Sequence, residues 1–162
     1  MPIFEQASLV AFVALAIPLT SATSAPAPKS KPDLRCELVA WGGDEGAVAN
    51  GGSVKPIVGP NGLHSMEYAL TVKNVGGPTG APFVVRYDYV TRVGGHAFTS
   101  SKPNIPWAAM AAGQEFKGPR LKLSGSPPFP NTHEITVILD TDNKIAESNE
   151  ANNTCKLVVR VK

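Results

Sequence analysis

The stretch from Ile135 to Val161 constrains this chain more than any other, because it reads as a strand, a long turn and a second strand. Ile135, Val137 and Leu139 alternate with Glu134, Thr136 and Asp140, while Cys155, Leu157, Val159 and Val161 alternate with Thr154, Lys156, Val158, Arg160 and Lys162. A period of two marks strands with one face buried. The run between them, from Asp140 to Thr154, is crowded with Asp, Asn and Ser, whose short side chains bond nearby backbone and favour tight reversals. The stretch is therefore expected to be an antiparallel pair joined by a structured loop.

The same alternation recurs upstream. Leu34, Cys36, Leu38 and Ala40 form one face of a first strand ending near Trp41; Met66, Tyr68, Leu70 and Val72 form that of a second, stopped by Asn74-Val75-Gly76-Gly77-Pro78. Phe83, Val85, Tyr87 and Tyr89 mark a third, closed by Gly94-Gly95. Between Gly42 and Ser65 the chain is rich in glycine and carries Asn50-Gly51 and Asn61-Gly62, preferred pairs for turns with positive φ. Val54 to Val58 is expected to add one short edge strand, where Pro56 is tolerated. His96 to Lys102 is expected as another, followed by an apolar connector from Pro103 to Ala112. Phe116 lies on the opposite parity to Leu121 and Leu123, so Gly118-Pro119 should be a bulge that shifts register. Gly125 to Asn131 reads as a Pro-rich crossing. With 15 Gly and 15 Pro, long helices are disfavoured and many short strands expected.

The loop motif, D-x-D-N-x-I-x-E-S-N-E-x-N-N, with Asp140, Asp142, Asn143, Ile145, Glu147, Ser148, Asn149, Glu150, Asn152 and Asn153 at its defined positions, resembles the final hairpin of the CARDB family. So does the second strand's Lys73-Asn74-Val75-Gly76 ending with the Gly and Pro turn after it. The resemblance covers about Asp33 to Val161. It implies an all-β domain, an immunoglobulin-like antiparallel β-sandwich of about seven strands, and a bacterial extracellular module for adhesion or binding. The long Gly-rich excursion after Trp41 and the two cysteines depart from the family pattern.

Compartment follows from the N-terminus. Leu9 to Leu19 is apolar apart from Pro18, and small residues follow from Thr20 to Ala25, the layout of a secretory signal peptide, although no Lys or Arg precedes the run. At roughly 11 residues it is far short of the ~20 needed to span a bilayer. Residues 1–25 are thus expected to be a signal peptide cleaved between Ala22 and Ala25, 26–32 a linker and 33–162 one domain in a secreted protein, extracellular or periplasmic. In such a protein Cys36 and Cys155, the only two cysteines, suggest a disulfide tying the first strand to the last; two buried free thiols are the competing reading.

Chemistry is sparse. Net charge is +2 with Lys and Arg scattered, so nothing tracks a phosphate backbone. No nucleophile elbow, zinc-protease helix motif or phosphate-cradling glycine loop occurs. His64, His96 and His133 each adjoin a turn or strand end, where solvated or hydrogen-bonded histidine is ordinary. Trp41 and Trp107 read as lids on a sandwich core, with Trp107 in its Pro-flanked stretch the better candidate for a binding surface. Asp140, Asp142, Asn143, Glu147 and Glu150 offer hard oxygens that suit calcium, but without EF-hand spacing; the competing reading is that they satisfy the backbone of a wide turn, with Ile145 pointing inward. No cofactor or catalytic residue is expected. The expected role is a monomeric, non-catalytic adhesion or binding module whose partner is an extracellular protein or glycan, with no nucleic acid and no membrane span in the mature chain. The alternative is a periplasmic or secretion-pathway assembly or inhibitor protein acting through an exposed sheet edge.

Overall fold

Alternating apolar side chains become strands here, and two sheets are needed to cover them. The computed structural model describes residues 30–43, 46–60, 62–125 and 131–162. The expected signal peptide, its cleavage point, most of the 26–32 linker, Asn61 and the core of the Pro-rich crossing lie outside the described residues. In chain order the strands are β1 (Leu34–Trp41), β2 (Ser53–Val54), β3 (Ile57–Val58), β4 (His64–Asn74), β5 (Phe83–Val93), β6 (His96–Trp107), β7 (Glu115–Lys117), β8 (Leu121–Gly125), β9 (Asn131–Ile138) and β10 (Thr154–Val161). One sheet has β4 at its centre, β1 and β3 along one side and β7 and β8 along the other; the second runs β2-β10-β9-β5-β6. All pairings between these strands are antiparallel except the short parallel β2–β10 contact.

The inner faces meet as the alternation requires. Tyr68, Leu70, Val85, Tyr87, Val137, Leu157 and Val159, the residues whose phase points to a core, are all buried. Cys36 on β1 and Cys155 on β10 are joined as a disulfide, stapling the β1 side of one sheet to the β10 side of the other. The opposite side, where β6 faces β7 and β8, has no such staple among the described residues.

Three segments differ from expectation. Val54–Val58 is not one strand: the chain changes sheets at Lys55-Pro56, β2 joining β10 and β3 joining β4. Proline has no amide to give to either ladder, so the break falls there. The polar strand at His96 continues through Pro103 and Pro106 to Trp107, which an edge position permits. It does so with a register shift between Val85 and Tyr87 on its partner, and Asn104 opposite that shift adopts φ +56°. Finally, the end of the expected linker is gripped by the domain: Gly77 N donates to Lys31 O and Ser148 N to Pro32 O. The anticipated step at Gly118-Pro119 is present. Val72 faces Phe116 but Tyr68 faces Leu121, so the register slips by one residue between β7 and β8, with Gly118 N bonded to Leu70 O at 2.8 Å.

Asn74, buried at the end of β4, explains the Lys73-Asn74-Val75-Gly76 pattern. Its Nδ2 donates to Gly77 O at 2.7 Å and Ala111 O at 3.0 Å, and its Oδ1 accepts from Asp33 N and Gly76 N, both at 3.2 Å. One amide thus ties the start of β1, the turn after β4 and the segment before β7. A Cβ on Gly76 or Gly77 would run into the backbone of residues 30–33, so these two positions need glycine because another chain segment passes over them.

Candidate functional site

The Asp140–Asn153 loop is a hydrogen-bonded clasp. Asp140 sits at φ +46°, and its carboxylate accepts from Lys144 N at 3.1 Å and Ile145 N at 2.9 Å. Asn143 N bonds Asp140 O at 2.9 Å, closing a tight turn with Asn143 itself at φ +50°. Both positive-φ residues are types that tolerate the left-handed region because their side chains bond locally. Ile145 is buried against the sandwich end, as its place in the motif implies.

Beyond Ile145 the loop turns to the N-terminal strand. Glu147 Oε2 accepts from Leu34 N at 2.5 Å, and its Oε1 accepts from Asn153 Nδ2 at 2.8 Å. Glu150 accepts the Glu147 amide at 2.9 Å and a second bond from Asn153 Nδ2 at 3.2 Å. Asn149 caps the single 3-10 turn Glu150–Asn152 by accepting from Ala151 N, and Asn152 Nδ2 reaches Asp33 Oδ1 at 2.6 Å. Ser148 bonds Pro32 O through both its amide and its hydroxyl. The base closes through Leu139 N to Asn153 O at 2.8 Å.

The electrostatics follow from these contacts. Burial pushes the Glu147 carboxyl above its ordinary value, against the pull of the Leu34 and Asn153 bonds. Asp140 is likewise raised by burial, against the Ile145 and Lys144 amides. Asp142 is held low by the ammonium of Lys144, 2.6 Å away. Of the calcium-suited residues, Asp140 and Glu147 therefore spend their oxygens on backbone and amide donors, and Asp142 on a lysine. Among the described residues no group of three or more His, Cys, Asp or Glu side chains converges as a metal site. A polar pocket of about 310 Å³ beside the loop brings Asp140, Asn143, Glu150 and Asn153 together with Arg86, while Asp142 and Glu147 do not line it.

A second feature, on the unstapled side of the sandwich, is an apolar cleft of about 410 Å³. Its walls include Tyr87, Tyr89, Ile105 and Trp107 from β5 and β6, and Phe116 and Leu121 from β7 and β8. Trp107 meets Phe116 edge-on at 4.7 Å between ring centroids, bridging the two sheets at the mouth. The Tyr89 hydroxyl is committed to Tyr68 at 2.7 Å. Of the two tryptophans, only Trp107 serves as a lid; Trp41 lies on the outer face under the Arg120 guanidinium, 4.2 Å from the ring centroid. His133 pairs with Thr91 through Nδ1 at 3.0 Å, and burial lowers its pKa. The cleft went unread in the sequence because it needs the edges of two different sheets, β6 of one and β7 and β8 of the other, to face each other. The sequence signal was the aromatic alternation Tyr87, Tyr89 beside a Pro-flanked Trp107.

A model of the CARDB family matches residues 60–157, more than half of the chain and including the whole Asp140–Asn153 loop. No curated protein matches. Among solved structures, the crystal structure of the CARDB domain of a Pyrococcus furiosus protein in complex with di-metal ions aligns at 20% identity and TM-score 0.43, covering 81% of this chain and 94% of that one. The solution structure of the same domain aligns at 22% identity and TM-score 0.43, with 81% and 95% covered. A crystal structure from Bordetella pertussis aligns at 12% identity and TM-score 0.42, with 83% and 93% covered. On the family match, which spans the second strand's ending and the complete loop motif, the chain belongs to the CARDB family.

Proposed function

We propose that the protein is an exported, non-catalytic binding module that recognises a partner protein outside the cell through the free edge of β6. The observation that carries this is the strand itself. β6 is the last strand of its sheet, twelve residues long, and exposed from His96 to Asn104. Phe98, opposite Thr91 on the core-side face, is 62% exposed. A row of unpaired backbone groups is a template for an added strand, and a large uncovered apolar side chain beside it gives that addition selectivity. An assembly or inhibitor protein of the periplasm would use the same edge, so the two readings differ in partner and not in surface.

Export is supported by the Cys36–Cys155 disulfide, which persists in oxidising compartments. Among the described residues no helix is long and apolar enough to cross a membrane. The test is affinity capture from the surface fraction of the native host, followed by direct binding of the identified partner. Binding should be lost with Phe98→Asp and kept with a substitution on the outer face such as Lys122→Glu. A partner that binds Phe98→Asp as well as the parent would refute the edge as the recognition surface.

A further inference from the structure

The cleft between β6 and β7–β8 is separate from the Phe98 half of the edge, and its chemistry differs. We propose that it binds a small amphiphilic organic anion, an apolar body with a single anionic end. Its volume of about 410 Å³ falls in the range of small-molecule sites, which are mostly apolar with a few placed polar groups. Tyr87, Ile105, Trp107, Met110 and Leu121 supply the apolar walls. The polar groups are few: Gln114 Oε1 is already used by the Ala111 amide, and the Tyr89 hydroxyl by Tyr68. The charged side chain of the lining is Lys102, which is exposed.

Lys102 is the only Lys, Arg, Asp, Glu or His in that lining, and it forms no ion pair among the described residues. The nearest acidic side chain along the paired strand, Asp88, is on the outer face, where Arg86 and Ser101 hold it at 3.1 and 2.7 Å. A cation at the rim of an otherwise uncharged apolar cleft selects an anion whose remainder is apolar. A sugar would leave most of its hydroxyls without partners there, which is costly on burial.

The experiment is calorimetric titration of the full mature chain with decanoate and, as the charge-inverted match, decyltrimethylammonium, each below the concentration at which it aggregates. Decanoate should saturate one site, and added salt should weaken it. Lys102→Glu should weaken decanoate by about five- to tenfold, as expected for reversing one exposed charge pair, and should favour the cationic probe. Lys122→Glu, the same change on the exposed outer face of the other sheet, should leave both affinities unaltered. Absence of saturable decanoate binding, or equal affinity in Lys102→Glu and the parent, overturns the proposal. If decanoate fails while Lys102→Glu blocks the partner captured through Phe98, the cleft belongs to that macromolecular contact. Failure of decanoate alone leaves the edge reading standing, since Phe98 does not line the cleft.

Discussion

The backbone amide of Leu34 donates to Glu147 Oε2 at 2.5 Å, joining residues 113 apart in sequence. That bond makes the acidic loop part of the first strand's attachment, because Leu34 begins β1 and is itself wholly buried. Removing the carboxylate leaves the buried Leu34 amide unpaired and takes from Asn153 Nδ2 the shorter of its two bonds, so Glu147→Ala should cost about 1 to 3 kcal/mol. Asn152→Ala, which loses only the half-exposed bond to Asp33, should cost less, about 0.5 to 1.5 kcal/mol. Chemical denaturation of both variants checks the order; equal losses would place the anchoring elsewhere in the loop.

The disulfide should account for a large part of the remaining stability. It links residues 119 apart, and the chain-entropy account gives about 4.7 kcal/mol for a 100-residue loop, an upper figure. Thiol titration of denatured, non-reduced protein should find no free cysteine. The Cys36→Ala, Cys155→Ala double variant should melt well below the parent, and two titratable thiols in the parent would contradict the pairing.

The core prediction rests on strand phase. Leu70→Ala should cost about 2 to 5 kcal/mol through the cavity it leaves, a large share of a domain's total stability. Val137→Asp, which buries a carboxylate beside Tyr87 and Cys155, should prevent folding. Thermal melts equal to the parent would mean the inner faces are misassigned.

Two opposed pH effects are expected. Glu147 and Asp140 are raised by burial, so the folded state holds their protons more tightly than the unfolded one. Their contribution is fully present below the ordinary values of 4.5 and 3.8 and is lost as pH rises through the raised folded values. His133 is lowered by burial from 6.5, so its contribution is present above that value and is lost as pH falls below it, levelling off under the folded pKa. Melting temperatures followed from pH 7 downward should show less acid loss in His133→Gln than in the parent. In Glu147→Gln the gain on acidification near the carboxylate range should be reduced. Parallel pH profiles for all three proteins would remove the linkage.

How much of this was legible in the sequence depends on how far apart the interacting residues lie. Strand phases at Tyr68, Val85 and Val137 could be read locally because a period of two reports which face is buried. The loop's self-bonding was legible too, since Asp140 and Asn149 act within five residues. What was not legible was the target of Glu147, since the Leu34 amide carries no sequence mark of its own, or the division of Val54–Val58 between two sheets. The extension of β6 past Pro103 was hidden because Pro signals a break everywhere except at an edge, and edges exist only once the sheet is assembled.

The loop should stabilise the fold without a bound metal. Strands ending at Ile138 and restarting at Thr154 leave a connection far longer than the 2 to 5 residues of an ordinary hairpin. It is held by the Asp140 turn, the buried Ile145 and the Glu147–Asn153–Glu150 bonds, which engage both carboxylate oxygens of Asp140, Glu147 and Glu150 and leave the buried Oδ1 atoms of Asn152 and Asn153 unpartnered. A structural calcium ion would raise stability by about 2.7 kcal/mol at a hundredfold excess over its dissociation constant. Chelator and millimolar calcium should instead give the same melting temperature, while Asp140→Ala, which uncaps the Lys144 and Ile145 amides, should lower it in both. A calcium-dependent rise that disappears in the Asp140→Asn, Asp142→Asn double variant would show that the loop is a metal site after all.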